Sequence, residues 1–137
     1  MKIKMRAYIN LLFAILFTLL NASCNDDDVE VDCITGEVAV INEVEAPETA
    51  KVGEVVSIDV TFSMKNTCGS FAKFKESSTE EGKIIEVLVD YFGCTCGQAI
   101  IEDTKTYEFT PESTGVYEFN FRSSTTELIT INIQVTE

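Results

Sequence analysis

The 137-residue chain has no histidine and no tryptophan, only two prolines, and ten basic residues against 23 acidic ones. Without histidine it lacks the commonest general base near neutral pH and any zinc or copper site of mixed nitrogen and sulfur ligation. Without tryptophan it lacks the strongest stacking surface for a sugar. The few bases work against contact with phosphate backbones. No Gly-x-Ser-x-Gly elbow, phosphate loop or dinucleotide loop occurs, and from Glu37 onward no window carries a convincing amphipathic helix. Adjacent acids such as Glu80-Glu81 and Glu102-Asp103 do not make a catalytic pair, because neighbours along a strand point to opposite faces. No acidic run has the spacing of a calcium-binding loop. Nothing here announces an enzyme, a cofactor or a metal centre.

What the sequence does carry begins at its N-terminus. Lys2, Lys4 and Arg6 precede an apolar run from Ala7 to Leu20, and no acid appears before Asp26. A basic head, a short apolar core and small residues at its end are the parts of a secretory signal. A membrane span needs about 20 predominantly apolar residues; this run is interrupted at Asn10 and ends at Asn21. The segment Leu19-Leu20-Asn21-Ala22-Ser23-Cys24 resembles the lipobox of bacterial lipoproteins, with Asn21 where that family usually has Leu. An ordinary signal-peptidase site would want small residues at both −1 and −3, which neither Asn21/Ser23 nor Leu20/Ala22 provides. The resemblance implies cleavage before Cys24 and a palmitate-type acyl anchor on that cysteine. It sets the layout as a signal peptide over 1–23, an acidic tether over 24–36 and one folded domain over 37–137.

The tether opens Asn25-Asp26-Asp27-Asp28. Like charges repel and extend a chain, so this run can be a solvated spacer. A cysteine followed at once by aspartates also resembles the export tag of surface-displayed lipoproteins of the Bacteroidota, which implies an outer-membrane, cell-surface address. Once the leader's three bases are removed, seven basic residues face all 23 acids, a net charge of −16. A field of that sign disfavours nucleic acid and anionic lipid and suits solubility at a crowded surface.

With Cys24 committed to the lipid, four cysteines remain, at 33, 68, 94 and 96, and an exported domain this small is expected to hold them as two disulfides. Cys94 and Cys96 flank one threonine. In an extended segment their Cα atoms would lie about 6.6 Å apart with parallel Cβ vectors, unfavourable for a bond between them. Each is therefore expected to reach one of Cys33 and Cys68, in a pairing the spacing leaves open. The competing use of Cys94 and Cys96 is a thiol-active or metal-binding site, although a redox pair normally has two residues between its cysteines, as do paired zinc ligands.

From the tether onward the chain alternates with period two. Val56, Ile58, Val60 and Phe62 form one such run, and Ile85, Val87, Val89 and Tyr91 another. Tyr107 with Phe109, then Tyr117, Phe119 and Phe121, and finally Ile129, Ile131, Ile133 and Val135 complete the set. One apolar and one polar face per segment indicates half-buried antiparallel strands. An opening strand near Glu37–Val44 is also expected, and Phe71–Lys75, with aromatics three apart, reads as either strand or turn. Breakers at Pro47, Gly53, Gly69, Gly82, Gly97, Pro111 and Gly115 divide the chain. The expectation is an all-β sandwich of about seven strands.

The stretch Pro111 to Phe119 resembles the E–F corner of immunoglobulin-like domains, in which a Gly-x-Tyr-x-Cys pattern places a tyrosine whose hydroxyl bonds back to the backbone. Tyr117 takes that place and Phe119 stands where antibody domains have their intersheet cysteine. Together, Cys68-Gly69, Phe71, the Ile85–Tyr91 strand, Cys94-Thr95-Cys96 and the Gly115–Phe119 segment resemble small uncharacterised lipoproteins of the Bacteroidota. That resemblance implies an address and not a reaction. The absence of catalytic motifs from a sandwich with loops at its ends points separately to a non-enzymatic binding or accessory module with a protein or glycan partner. The Cys94–Gln98 and Ser77–Lys83 loops, and a stacking surface at Tyr91-Phe92, are its candidate contacts, since such sites concentrate on loops.

Overall fold

The computed structural model describes residues 33–79 and 82–137, without the side chains of residues 79 and 82. The signal peptide, Cys24, most of the acidic tether and the Glu80-Glu81 pair lie outside the described residues. The described chain forms nine strands and no helix. They are β1 (Ile34–Val38), β2 (Val40–Glu45), β3 (Thr49–Lys51), β4 (Val56–Met64), β5 (Gly69–Thr79), β6 (Gly82–Phe92), β7 (Ile101–Phe109), β8 (Gly115–Arg122) and β9 (Leu128–Thr136). Two sheets make a sandwich, β2-β4-β7 against a six-stranded sheet.

The count of nine against about seven comes from the opening segment, which is three short strands rather than one. β1 starts at Ile34, ahead of the Glu37 at which the sandwich was expected to begin. It pairs with β6 in the large sheet, and one residue later the chain pairs as β2 with β4 in the small sheet. β3 then returns to the large sheet beside β9.

The alternating runs bury as their period demands. Ile58, Val60, Phe62, Ile85, Val87, Val89, Phe121 and Ile133 are fully enclosed. Aromatic rings thread the core in sequence, with centroid separations of 5.9 Å for Phe62–Phe71, 5.1 Å for Phe71–Phe74 and 5.4 Å for Phe74–Tyr107. The series continues through Tyr107–Phe119 at 6.2 Å to Phe119–Phe109 at 4.6 Å. Offset and edge-on ring pairs at such separations are favourable.

Phe71–Lys75 is strand, part of β5. Its aromatics are three apart because the β5–β6 register shifts between Phe71 and Lys73. The extra residue of a bulge changes the phase of alternation, so Phe71 pairs with Val89 and Phe74 with Val87, both on the core face. A second shift between Ile41 and Glu43 does the same for Ile41 and Val44.

Five of the pairings are antiparallel, but β3–β9 and β6–β8 are parallel. The β6–β8 contact is confined to Ile84–Asn120 and Ile85–Phe121, because the rest of that β6 edge belongs to β1, which pairs from Val38–Leu88 to Ile34–Phe92. One edge of β6 is thus shared end to end by two strands, and the handover falls at Glu86 and Val87.

The expected corner is present. The Ser113 N–H donates to the Tyr117 hydroxyl (3.3 Å), which donates in turn to the Ser113 carbonyl (3.1 Å), the tyrosine corner of immunoglobulin-like sandwiches. The Ser113 hydroxyl, 3.3 Å away, and then the Ser113 backbone hold the Tyr117 hydroxyl below its ordinary pKa. Gly115, with φ of 141°, supplies the backbone turn into β8.

Candidate functional site

All four described cysteines meet at one end of the sandwich. Cys33 bonds Cys94 and Cys68 bonds Cys96, with Cα separations of 5.1 and 5.5 Å. Each member of the Cys-Thr-Cys segment thus reaches a distant partner, as same-side geometry requires, and the structure supplies the pairing that spacing left open. The topology explains why they meet: Cys33 precedes β1, Cys68 precedes β5, and Cys94 and Cys96 follow β6, so all three chain passages lie at one end of the central strand.

Hydrogen bonds fix the same end. The Gly93 N–H donates to the Cys33 carbonyl (2.9 Å), and Gly93 takes φ of 114°, open to glycine, to start the loop. Thr67 grips Gly97 twice, its N–H donating to the Gly97 carbonyl (3.1 Å) and its Oγ1 accepting the Gly97 N–H (2.9 Å). The Cys94–Gln98 loop is therefore a braced protrusion.

Of the proposed stacking pair, only Phe92 offers a ring, being 54 % exposed. Tyr91 is buried at 3 %, and its hydroxyl accepts the Lys65 N–H. The Ser77–Lys83 segment is a correction to the loop expectation: Ser77 and Lys83 are in β5 and β6, opposite Ile84 and Ser78. Lys83 pairs with Glu76, and Glu76 accepts the Tyr107 hydroxyl (2.6 Å). The Lys83 and Tyr107 hydrogen bonds hold the Glu76 carboxyl below its ordinary pKa, while burial pushes Tyr107 upward. Glu102 and Asp103 separate as expected of neighbours: Glu102 accepts the Asn42 amide (2.7 Å), while Asp103 pairs with Lys105.

The sequence did not indicate a second region, at the β6 handover. Glu86 faces away from the core yet is 9 % exposed, held by Lys75 (3.0 Å) from β5 and Arg122 (2.7 Å) from β8. The Lys75 hydrogen bond, reinforced by Arg122, keeps the Glu86 carboxyl below its ordinary pKa against the opposing effect of burial. Beside it, a cleft of about 430 Å³ opens between Val38–Val40 and Arg122–Thr125. A second, of about 370 Å³, is lined by Val38, Val40, Met64 and Ile100, and a third, of about 500 Å³, by Val38, Ala72 and Leu88. All three share Val38, which is 43 % exposed, and Val40 beside it is 52 % exposed. The available signal was the competition at Val38-Ala39-Val40-Ile41. Alternation allows either the valines or Ala39 and Ile41 inward, and the fold buries Ala39 and Ile41.

No family model matches the chain, and no match is found among curated proteins or solved structures.

Proposed function

We propose that this is an exported lipoprotein, acylated at Cys24 and displayed on the outer membrane, whose sandwich is a binding or accessory module rather than an enzyme. The observation that supports it most is the pair of disulfides gathered at one end, a device of small domains in oxidising compartments. The site chemistry favours a protein partner over a glycan. The three clefts around the β1–β2 crossing combine valines, Met64, Leu88 and Ile100 with charged side chains such as Glu37, Glu86, Asp90 and Arg122, and have no aromatic side chain, whereas sugar sites rely on an exposed ring. Display is proposed to depend on Asp26-Asp27-Asp28.

Fatty-acid labelling of cells tests the anchor: the parent takes up label and Cys24→Ala does not. Label retained by Cys24→Ala, or a mature N-terminus elsewhere, overturns it. Protease shaving of intact cells tests display. The parent is digested and a variant with Asp26, Asp27 and Asp28 all changed to Ala is protected; equal digestion overturns the tag. A free-thiol count on the denatured, unreduced protein separates this reading from a thiol-active or metal-binding use of Cys94 and Cys96. None fits the module, and two or four fit the alternative.

A further inference from the structure

The end that carries both disulfides has a second property. Three stretches build it, Cys33–Gly36, Asn66–Ala72 and Tyr91–Ile101, and none contains an Asp, Glu, Lys or Arg; charge begins at its margin, with Asp90 between Gly36 and Ser70 and Lys65 over the Tyr91 ring. In a chain that is 24 % charged and strongly acidic, 22 residues from three separate passages without a charge make a local surface unlike the rest. Apolar side chains protrude from it: Ile34 is 52 %, Phe92 54 % and Ile100 74 % exposed, and Ile34 and Phe92 are direct cross-strand partners. The opposite end also exposes valines, but among charges, with Val55 (64 %) next to Glu54 and Val116 (65 %) near Glu112 and Glu118.

We infer that this uncharged, disulfide-braced end is a membrane-facing cap, resting on the neutral headgroup region of the bilayer that holds the anchor, with Ile34, Phe92 and Ile100 dipping into it. The inference rests on acylation at Cys24. The chain leaves the sandwich at Cys33, within this cap, and Cys24 lies nine residues upstream. Nine residues span at most about 30 Å, so a lipid on Cys24 keeps this end, and not the opposite one, beside the membrane. Apolar side chains at such a boundary gain by entering the headgroup layer. Acidic ones would lose, by desolvation and by repulsion from anionic lipid. The bridges keep the cap from yielding when it makes that contact. The cleft between Val38–Val40 and Arg122–Thr125, which contains no cap residue, then opens on the flank, and the acidic end points away.

The absence of tryptophan makes the test direct. The mature chain starting at Cys24 is coupled through that thiol, the one cysteine outside both bridges, to a maleimide lipid in phosphatidylcholine vesicles. Brominated acyl chains then quench any tryptophan that reaches them. With Phe92→Trp, emission should shift to the blue and lose intensity on brominated vesicles, while Val55→Trp, at a position more exposed still (64 % against 54 %) but at the far end, stays unchanged. Adding Ile34→Asp and Ile100→Asp to Phe92→Trp should abolish the quenching. An unquenched Trp at 92, or equal quenching at 92 and 55, overturns the cap. The chemical coupling makes this outcome independent of acylation in cells, so failure of the anchor and failure of the cap are read by different experiments.

Discussion

Removing the two bridges one at a time should cost unequal, calculable amounts. The closed loops span 61 residues for Cys33–Cys94 and 28 for Cys68–Cys96. Taken singly, the chain-entropy relation gives about 4.3 and about 3.6 kcal/mol at 25 °C. The bridges are not independent, because they share the Cys94–Cys96 segment. With Cys68–Cys96 in place, the effective loop closed by Cys33–Cys94 shrinks to about 37 residues; in the converse case the Cys68–Cys96 loop shrinks to about 17. Loss of one bridge from the intact protein should therefore cost about 3.8 kcal/mol for Cys33→Ala with Cys94→Ala, and about 3.1 for Cys68→Ala with Cys96→Ala. Loss of both should cost about 7.4 kcal/mol, within the whole stability of a typical small domain of about 5–15 kcal/mol. Urea unfolding of the three variants reads these values, and the slope should rise as the freed unfolded chain exposes more surface. A cost under about 1 kcal/mol for either pair, or a larger cost for the shorter loop, would refute an origin in chain entropy. Only Thr95 lies between Cys94 and Cys96, so mapping the pairing needs partial reduction and alkylation as well as proteolysis.

Three further outcomes are expected. Gly69→Ala should lower stability by about 1–3 kcal/mol, since a Cβ there would lie 2.8 Å from the Met64 Cβ and 3.0 Å from Tyr91; an unchanged urea midpoint would show that these buried side chains give way. Tyr117→Phe should lower the urea midpoint slightly by removing the hydroxyl that closes the corner on Ser113, with no change in the circular dichroism of the sheet; an unchanged midpoint means water replaces the bond at no cost. Glu86 and Glu76 titrate below their ordinary 4.5 in the folded state, so each stabilises the fold above the unfolded pKa and loses that contribution as pH falls through its depressed value. Acid titration of stability should therefore show a loss below about pH 4.5 that is shallower in Glu86→Gln; identical slopes would mean that Lys75 and Arg122 do not hold this carboxylate.

The fold was readable where period two is unbroken. Val56–Phe62 and Ile85–Tyr91 place every second residue in the core, and both strands follow directly from the sequence. Tyr117 was readable for a different reason, because a glycine two residues before an aromatic, just after a proline turn, is a local pattern whose geometry needs no distant partner. The cysteine framework was readable in part. Same-side projection at 94 and 96 forbids one pairing, but the choice between the other two depends on how β1 and β5 flank β6. That is a matter of sheet order, which spacing along the chain does not contain.

What escaped the sequence shares one physical cause. Ile41 with Val44, and Phe71 with Phe74, are apolar pairs three apart, the wrong interval for a strand and the right one for a strand with a bulge. Each bulge resets which residues face inward, and the first of them follows the point where the chain changes sheets. There Ala39 and Ile41 take the core, leaving Val38 and Val40 outside, a choice that alternation alone cannot make because either register buries two apolar residues. The sheet change also ends β1 partway along β6, and β8 takes over the vacated edge. Glu86 stands at that junction with cations from β5 and β8 on either side. The clefts, the exposed valines and the braced carboxylate are thus consequences of one event, the crossing of the chain between sheets at Ala39. A substitution at Ala39 that closed the gap would be expected to alter all three together.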